Sequence, residues 1–188
     1  LNIPTVGVIR GEELASKKEL NSTLKYAKSC GMHLEYVSRS DYKQKNDPAY
    51  LKLLLENFKN FYVIPEGGTN ALAIKGCQEI LSQEDLSFDI ICCAVGTGGT
   101  IAGLINSSLP TQKIIGFPAL KGGFLNEDIC KFATQSNWEL WEAYHFGGYA
   151  KVDSKLITFM NDFKTTYKIP LDPVYTAKMM YGIFDAIQ

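Results

Sequence analysis

The stretch AVGTGGTIAGL, residues 94–104, contains four glycines and follows the apolar run DIICCAV at residues 89–95. The run is typical of a strand covered on both faces, and residues 100–108 are predicted to form the helix that follows it. Glycine gives up side-chain packing, so this turn must need bare backbone. A strand, a glycine turn and a helix start direct several backbone N–H groups at one point, which favours an anion. A tight turn without a ligand is the alternative.

The spacing of the glycines narrows the kind of phosphate carrier. The P-loop pattern GxxxxGK[ST] does not match, because no lysine follows the glycines. The dinucleotide pattern GxGxxG fails as well, since Gly96 and Gly98 fit but position 101 is Ile. No acidic residue closes the next strand at Ala119 to bind a ribose. A loop for a single phosphate group remains, with hydroxyls from Thr97 and Thr100.

Strand-like and helix-like segments alternate along the whole chain, which is typical of an α/β protein with mostly parallel sheets. Strands are predicted over residues 4–10, 33–39, 61–65, 89–95 and 113–119. Helices are predicted over residues 22–30, 48–58, 70–82, 100–108, 123–134, 153–167 and 175–188. We expect residues 1–62 to form part of a smaller α/β domain and residues 63–188 to form most of a larger one.

Composition excludes several classes of function. A net charge of −1 without a basic stripe argues against a nucleic-acid partner, and no apolar segment approaches the length of a membrane span. The chain has two histidines and an odd number of cysteines without CxxC spacing. We therefore expect no metal site, no disulfide framework and a cytoplasmic location. The chain starts at Leu1 and stops within an apolar helical pattern, which suggests a piece of a longer polypeptide.

Three further stretches join GTGGT in a family resemblance: PEGGTNALAIKG (65–76), FGGYAK (146–151) and LDPVYTAKMMYGI (171–183). In order and separation the four blocks resemble the 1-aminocyclopropane-1-carboxylate deaminase and D-cysteine desulfhydrase family. That family uses pyridoxal 5'-phosphate and has the tryptophan-synthase β-subunit fold of two three-layer α/β domains. The resemblance covers essentially the whole chain, and GTGGT and DPVYT are its most specific parts.

The resemblance implies a role for several residues. The cofactor phosphate would be held by Gly96, Thr97, Gly98, Gly99 and Thr100. Tyr175 would lie against the pyridine ring or the substrate, Thr176 would bond the ring nitrogen, and Tyr149 would be a second active-site tyrosine. Gly68, Thr69 and Asn70 would lie close to the cofactor and substrate. The residues alone leave simpler roles open: packing for the tyrosines, a helix cap for Thr176 and a connecting turn for residues 65–70.

Thr176 also bears on the reaction. Deaminases of the family usually carry Glu after the tyrosine and desulfhydrases carry Thr, so the resemblance favours β-elimination from a small D-amino acid such as D-cysteine. The products would be pyruvate, ammonia and sulfide. Deamination of 1-aminocyclopropane-1-carboxylate is one alternative, and a non-catalytic fragment that binds a phosphate ligand is another. We expect a homodimer.

The family binds its cofactor covalently through a lysine, and no lysine of this chain occupies that position. The resemblance places it upstream of Leu1. We expect the lysines in or near the matching blocks to be solvated surface charges: Lys75, Lys121, Lys151 and Lys178.

Overall fold

The computed structural model describes residues 3–17, 19–58 and 60–187. The chain divides into two compact units, Leu1–Val63 and Ile64–Gln188. Both units pair their strands in parallel and connect them through helices, so the predicted α/β fold class is confirmed.

The first unit is built on two strands. β1 (Val6–Arg10) pairs in parallel with β2 (His33–Val37), and α1 (Ser22–Ser29) connects them. The Asn21 side chain caps α1 by accepting the Leu24 amide at 2.9 Å. The unit continues with α2 (Arg39–Lys43) and α3 (Pro48–Phe58).

The second unit contains a three-stranded parallel sheet of order β3-β4-β5. Its strands are β3 (Ile90–Val95), β4 (Lys113–Pro118) and β5 (Trp138–Leu140). Its helices are α4 (Ala71–Cys77), α5 (Gly99–Ser107), α6 (Phe124–Cys130), α7 (Ser154–Tyr167) and α8 (Thr176–Ala186). Because α5 joins two parallel strands, the glycine turn before it lies at the edge where the strands end.

The core of this unit holds α5 against the sheet. Val95, Ile101 and Ile114 are buried together in one apolar cluster, which also contains Ile105, Leu125 and Ile129. Gly116 on β4 allows the close approach, because a Cβ there would lie 2.6 Å from Ile101 Cδ1. Ile101 therefore packs the start of α5 closely against β4.

Sequence patterns misjudged several elements. The strand predicted over residues 61–65 is wrong: Tyr62 and Ile64 are exposed, and no described strand pairs with this segment. A segment of apolar residues does not form a strand unless another strand pairs with it through backbone hydrogen bonds. The helix predicted over residues 70–82 ends at Cys77, and α2 and the three-residue β5 were not predicted.

The helices of the described residues are short. The longest is α7 with 14 residues, and none is long and apolar enough to cross a bilayer, which takes about 20 residues.

Candidate functional site

The glycine turn connects the carboxyl end of β3 to the first residue of α5. Gly98 precedes the helix in a left-handed conformation, with φ of 88°. A Cβ at this position would lie 2.8 Å from Ile129 Cγ1, and both Gly98 and Gly99 are buried. The turn therefore requires glycine for its conformation and for its packing.

The backbone amides of this turn are available to a ligand. No described residue accepts a hydrogen bond from the amides of Thr97 to Thr100. The N–H of Ala102 bonds back to the Gly98 carbonyl at 3.0 Å, so the helical ladder begins only there. Unpaired amides together with the positive end of the helix dipole can hold an anion such as a phosphate group.

A second loop, residues 67–70, touches the glycine turn. The hydroxyls of Thr69 and Thr97 lie 2.7 Å apart and share a hydrogen bond. A Cβ on Gly99 would lie 2.8 Å from the Thr69 hydroxyl, so glycine at 99 is what admits this loop. The structure thus brings together two segments that are about 30 residues apart in the chain.

The other predicted residues of these loops face different surroundings. Gly68 has φ of 72° and open space where a Cβ would point. Asn70 caps α4: its side-chain oxygen accepts the Ala73 amide at 2.9 Å, and its NH2 group remains available to a ligand. Thr100 is exposed on the first turn of α5.

Of the two predicted tyrosines, Tyr175 lies beside the glycine turn and Tyr149 lies against Tyr175. A Cβ on Gly96 would lie 3.3 Å from Tyr175 Cε1, so the Tyr175 ring covers the backbone at the end of β3. Tyr149 packs edge-on against Tyr175 with the ring centroids 6.1 Å apart. Tyr149 remains 55% exposed, so the pair lies open to solvent on one side.

The Tyr175 hydroxyl is held in its neutral form. Burial raises its pKa, and the neighbouring Tyr149 hydroxyl and Asp172 carboxylate raise it further. A phenol whose pKa is raised donates a hydrogen bond or a proton at neutral pH and does not act as a base.

Thr176 lies at the start of α8 and bonds to Asp172. Its hydroxyl donates to the Asp172 carboxylate at 2.6 Å and accepts the Asp172 amide at 2.9 Å. Burial would raise the pKa of Asp172, but the hydrogen bonds from Thr176 and the following turn lower it overall. With the hydrogen given to an anionic carboxylate, the Thr176 oxygen can offer only its remaining lone pair to a ligand.

The lysines behave differently from one another. Lys75, Lys121 and Lys151 are exposed. Lys178 is not the surface charge that its residue type suggests, since it is only 1% exposed. Its Nζ donates to the His145 carbonyl at 2.9 Å and to the Gly148 carbonyl at 2.8 Å. An ammonium with two carbonyl acceptors can be buried, which explains the difference.

Sequence reasoning did not single out Asp172, and its prediction that Lys178 is a solvated surface charge is wrong. A signal existed for each. An aspartate followed by a proline is typical of a turn whose carboxylate accepts the next amides, and Asp172-Pro173 has that form. Lys178 is the one charge in the otherwise apolar run VYTAKMMYGIF. Because lysines are seldom fully buried, the sequence alone favoured an exposed position for it.

Two surface depressions of the second unit lie elsewhere. One, of about 260 Å³, lies between α7 and α8 among Phe159, Tyr167 and Tyr181. The other, of about 580 Å³, lies beside β5 near Trp138 and Cys130. Neither includes a residue of the glycine turn or the tyrosine pair, so the candidate site rests on its hydrogen-bonding geometry.

Known proteins resemble this chain in sequence and in structure. No protein-family profile matches it. It is 29% identical over 191 residues to a Thermotoga maritima protein assigned as a 1-aminocyclopropane-1-carboxylate deaminase, covering 90% of this chain. It is 27% identical to a bifunctional D-cysteine desulfhydrase/1-aminocyclopropane-1-carboxylate deaminase of Arabidopsis thaliana, covering 100% of this chain.

A solved structure is similar as well. The crystal structure of an ACC deaminase homologue superposes with a TM-score of 0.77 at 26% identity, over 97% of this chain and 61% of the other. The chain spans 61% of the Thermotoga protein and 53% of the Arabidopsis protein. With four matching blocks, a matching fold and these relatives, the chain belongs to the 1-aminocyclopropane-1-carboxylate deaminase and D-cysteine desulfhydrase family.

Proposed function

We propose that the full-length protein is a pyridoxal-phosphate-dependent lyase that acts on small amino acids. The observation that carries this proposal is the contact of three separate segments at the end of β3. The glycine turn, the Thr69 loop and the tyrosine pair meet there. The names of the relatives, a deaminase and a bifunctional desulfhydrase/deaminase, agree with this class of enzyme.

The glycine turn fits the phosphate of such a cofactor. A side chain at Gly98 would clash with Ile129 and one at Gly99 with Thr69, and the amides of Thr97 to Thr100 have no described acceptor. These amides would hold the phosphate, with the Thr100 hydroxyl in reach of solvent on the first helical turn. Thr97 shares its hydroxyl with Thr69 and would order both loops around the anion.

Thr176 would meet the ring nitrogen. When bound, pyridoxal phosphate withdraws electrons from the α-carbon of an amino acid, and the partner of the ring nitrogen tunes that pull. Thr176 already donates its hydrogen to Asp172 and can only accept in this arrangement. It would therefore favour a protonated ring nitrogen, with the negative charge of Asp172 one hydroxyl away.

The tyrosine pair would serve the substrate. Tyr175 keeps its proton at neutral pH, so it would donate to the substrate or to its leaving group. Tyr149 would hold the ring of Tyr175 from the side. Open space at Gly68 and the free NH2 group of Asn70 would leave room for the substrate carboxylate.

The threonine at position 176 supports D-cysteine as the preferred substrate. Glutamate is the usual residue here in deaminases of the resembled family, and this chain carries threonine instead. The reaction would yield pyruvate, ammonia and sulfide. The Arabidopsis relative carries both activities in its name, so we propose ring opening of 1-aminocyclopropane-1-carboxylate as the second activity to be tested.

We also propose how the units contribute. Residues 64–188 would form most of the cofactor-binding domain, and residues 1–63 would form part of the smaller domain. The full-length protein would be a homodimer.

The test uses the full-length protein supplied with pyridoxal phosphate. We expect pyruvate from D-cysteine, in larger amount than from 1-aminocyclopropane-1-carboxylate, and sulfide from D-cysteine alone. Borohydride reduction followed by mass spectrometry should fix the cofactor mass on a lysine outside residues 1–188. Absence of pyruvate from both substrates, with no cofactor fixed, would leave a domain that binds a phosphorylated ligand without catalysis.

A further inference from the structure

Lys178 occupies an unusual environment for a lysine. The residue lies in the first turn of α8 and is 1% exposed. Its two described hydrogen bonds go to the carbonyls of His145 and Gly148 and none goes to a carboxylate. Burying an ammonium is costly, so these contacts must offset a penalty that an apolar side chain would avoid.

The segment that Lys178 binds has a strained backbone. Phe146 and Ala150 adopt left-handed conformations with φ of 52° and 55°, and Gly147 and Gly148 have φ of 89° and 116°. A left-handed residue other than glycine costs about 1 kcal/mol or more, so such a segment needs support from its surroundings. Lys178 supplies that support from a helix outside the segment.

The same carbonyls also organise the segment internally. The His145 carbonyl accepts the Gly148 amide at 3.0 Å, and the Gly148 carbonyl accepts the Lys151 amide at 3.1 Å. Each carbonyl uses one lone pair for the segment and the other for Lys178. Removal of the ammonium therefore loosens both turns at once.

The two ends of this connection carry the two tyrosines. Tyr149 follows Gly148 directly, and Tyr175 precedes Lys178 by three residues, one helical turn. The rings of Tyr149 and Tyr175 touch edge-on at a centroid distance of 6.1 Å. The buried Lys178 side chain thus connects the backbone just before Tyr149 to the helix that begins just after Tyr175.

We propose that Lys178 is a positioning residue that sets Tyr149 against Tyr175 by holding the 145–151 segment on α8. Its importance for turnover rests on the proposed function, whereas its hold on the segment does not. Lys178 touches neither the glycine turn nor Thr176 through any hydrogen bond found among the described residues. Its loss should therefore disturb the substrate side of the site and leave the phosphate side intact.

Hydrogen exchange in the full-length protein loaded with cofactor tests directly whether Lys178 holds the 145–151 segment in place. Lys178→Met keeps the length of the side chain and removes its donors. We expect amides in residues 145–151 to exchange at least about tenfold faster, and those in residues 96–104 to be unchanged. Lys75→Met, at an exposed lysine on α4, is the matched control and should change neither region. Unchanged exchange in residues 145–151 of Lys178→Met would overturn the proposal.

Lys178→Arg covers the case in which the methionine variant does not fold. Arginine keeps several donors at that position, so residues 145–151 should stay within about threefold of the wild-type exchange rate. If Lys178→Met does not fold, the arginine variant alone decides: loss of protection in residues 145–151 would reject the proposal.

A double-mutant cycle tests whether the hydrogen bonds from Lys178 to the 145–151 segment matter for the reaction. If Lys178 acts through the Tyr149 ring, Lys178→Met should lower kcat in the wild-type background and leave it nearly unchanged in the Tyr149→Ala background. Equal losses in both backgrounds would reject a role through Tyr149. Should no substrate yield pyruvate, the exchange experiment still decides the structural claim, so the two proposals fail separately.

Discussion

The hydroxyl of Thr176 lies 2.6 Å from the Oδ2 atom of Asp172, and the same carboxylate accepts the amides of Val174, Tyr175 and Thr176. A single aspartate therefore organises the turn that carries both a predicted active-site tyrosine and the predicted partner of the ring nitrogen. Four donors on one carboxylate leave little freedom for the backbone that enters α8.

Asp172→Asn should lower the stability of the protein in a pH-dependent way. The hydrogen bonds lower the pKa of Asp172, despite its partial burial, so the ionised carboxylate stabilises the fold. That contribution is complete above the usual aspartate pKa of about 3.9 and is lost as the pH falls through the lowered folded value. Urea unfolding at pH 7 should show a loss of about 1 kcal/mol, similar to a helix cap. A gap between variant and wild type that stayed constant down to pH 2 would contradict this account.

Thr176→Glu should introduce repulsion beside Asp172. Two carboxylates in hydrogen-bonding distance cannot both ionise at little cost, so the variant should melt at a lower temperature at pH 7 and recover at acidic pH. The absorption spectrum of the bound cofactor and the preference between D-cysteine and the cyclopropane substrate should change. Because Asp172→Asn removes this repulsion, it should lower the melting temperature less in the Thr176→Glu background than in the wild type. Equal losses in the two backgrounds would show that the two side chains do not interact.

Gly98→Ala should weaken both folding and phosphate binding. The left-handed conformation costs alanine about 1–2 kcal/mol, and contact with Ile129 adds to it. Gly31→Ala is the matched control, because Gly31 has φ of 87° and open space around a Cβ. We expect a larger drop in melting temperature for Gly98→Ala, together with a weaker Kd for pyridoxal phosphate. Equal effects on stability and cofactor affinity in the two variants would remove Gly98 from the site.

The hydrogen bond between Thr69 and Thr97 should couple the two loops energetically. Thr69→Val and Thr97→Val each break it, so the double variant should lose less than the sum of the single losses. A coupling of about 1 kcal/mol in unfolding free energy is expected for a neutral hydrogen bond. Thr100→Val, at an exposed threonine of the same turn, should show no coupling to Thr69→Val.

Tyr175→Phe should reduce turnover by about 10²-fold and change cofactor affinity much less, because the lost hydroxyl would serve the reaction only. Burial and the Tyr149 hydroxyl raise the pKa of Tyr175, so activity that needs the protonated phenol should persist to high pH and fall as the pH rises through that value. In Tyr149→Phe the alkaline fall should begin at lower pH. A pH profile of kcat/KM on wild type and both variants checks this, and an alkaline limb that does not move would exclude Tyr149 as a neighbour of the titrating group.

Much of the second unit could be predicted from sequence because the deciding signals are local. The run DIICCAV, the glycines after it and the apolar helix that follows are adjacent in the chain, and each acts through its own backbone preference. In the first unit, the starts of α1 at Ser22 and of α3 at Pro48 were predicted for the same reason. The segment 61–65 was not, because a strand depends on a partner that is distant in sequence.

By itself, the sequence determined the α/β alternation, the glycine turn before α5 and the family to which the chain belongs, since each rests on the order of residues along the chain. Only the tertiary structure decided that Thr69 bonds Thr97, that Asp172 holds Thr176 and that Lys178 is buried between two carbonyls. Those pairings depend on which backbone groups and side chains fold into hydrogen-bonding distance. The sequence gives the residue type of a lysine or an aspartate but not its surroundings, so it does not show whether the charge lies in water or beside a carbonyl.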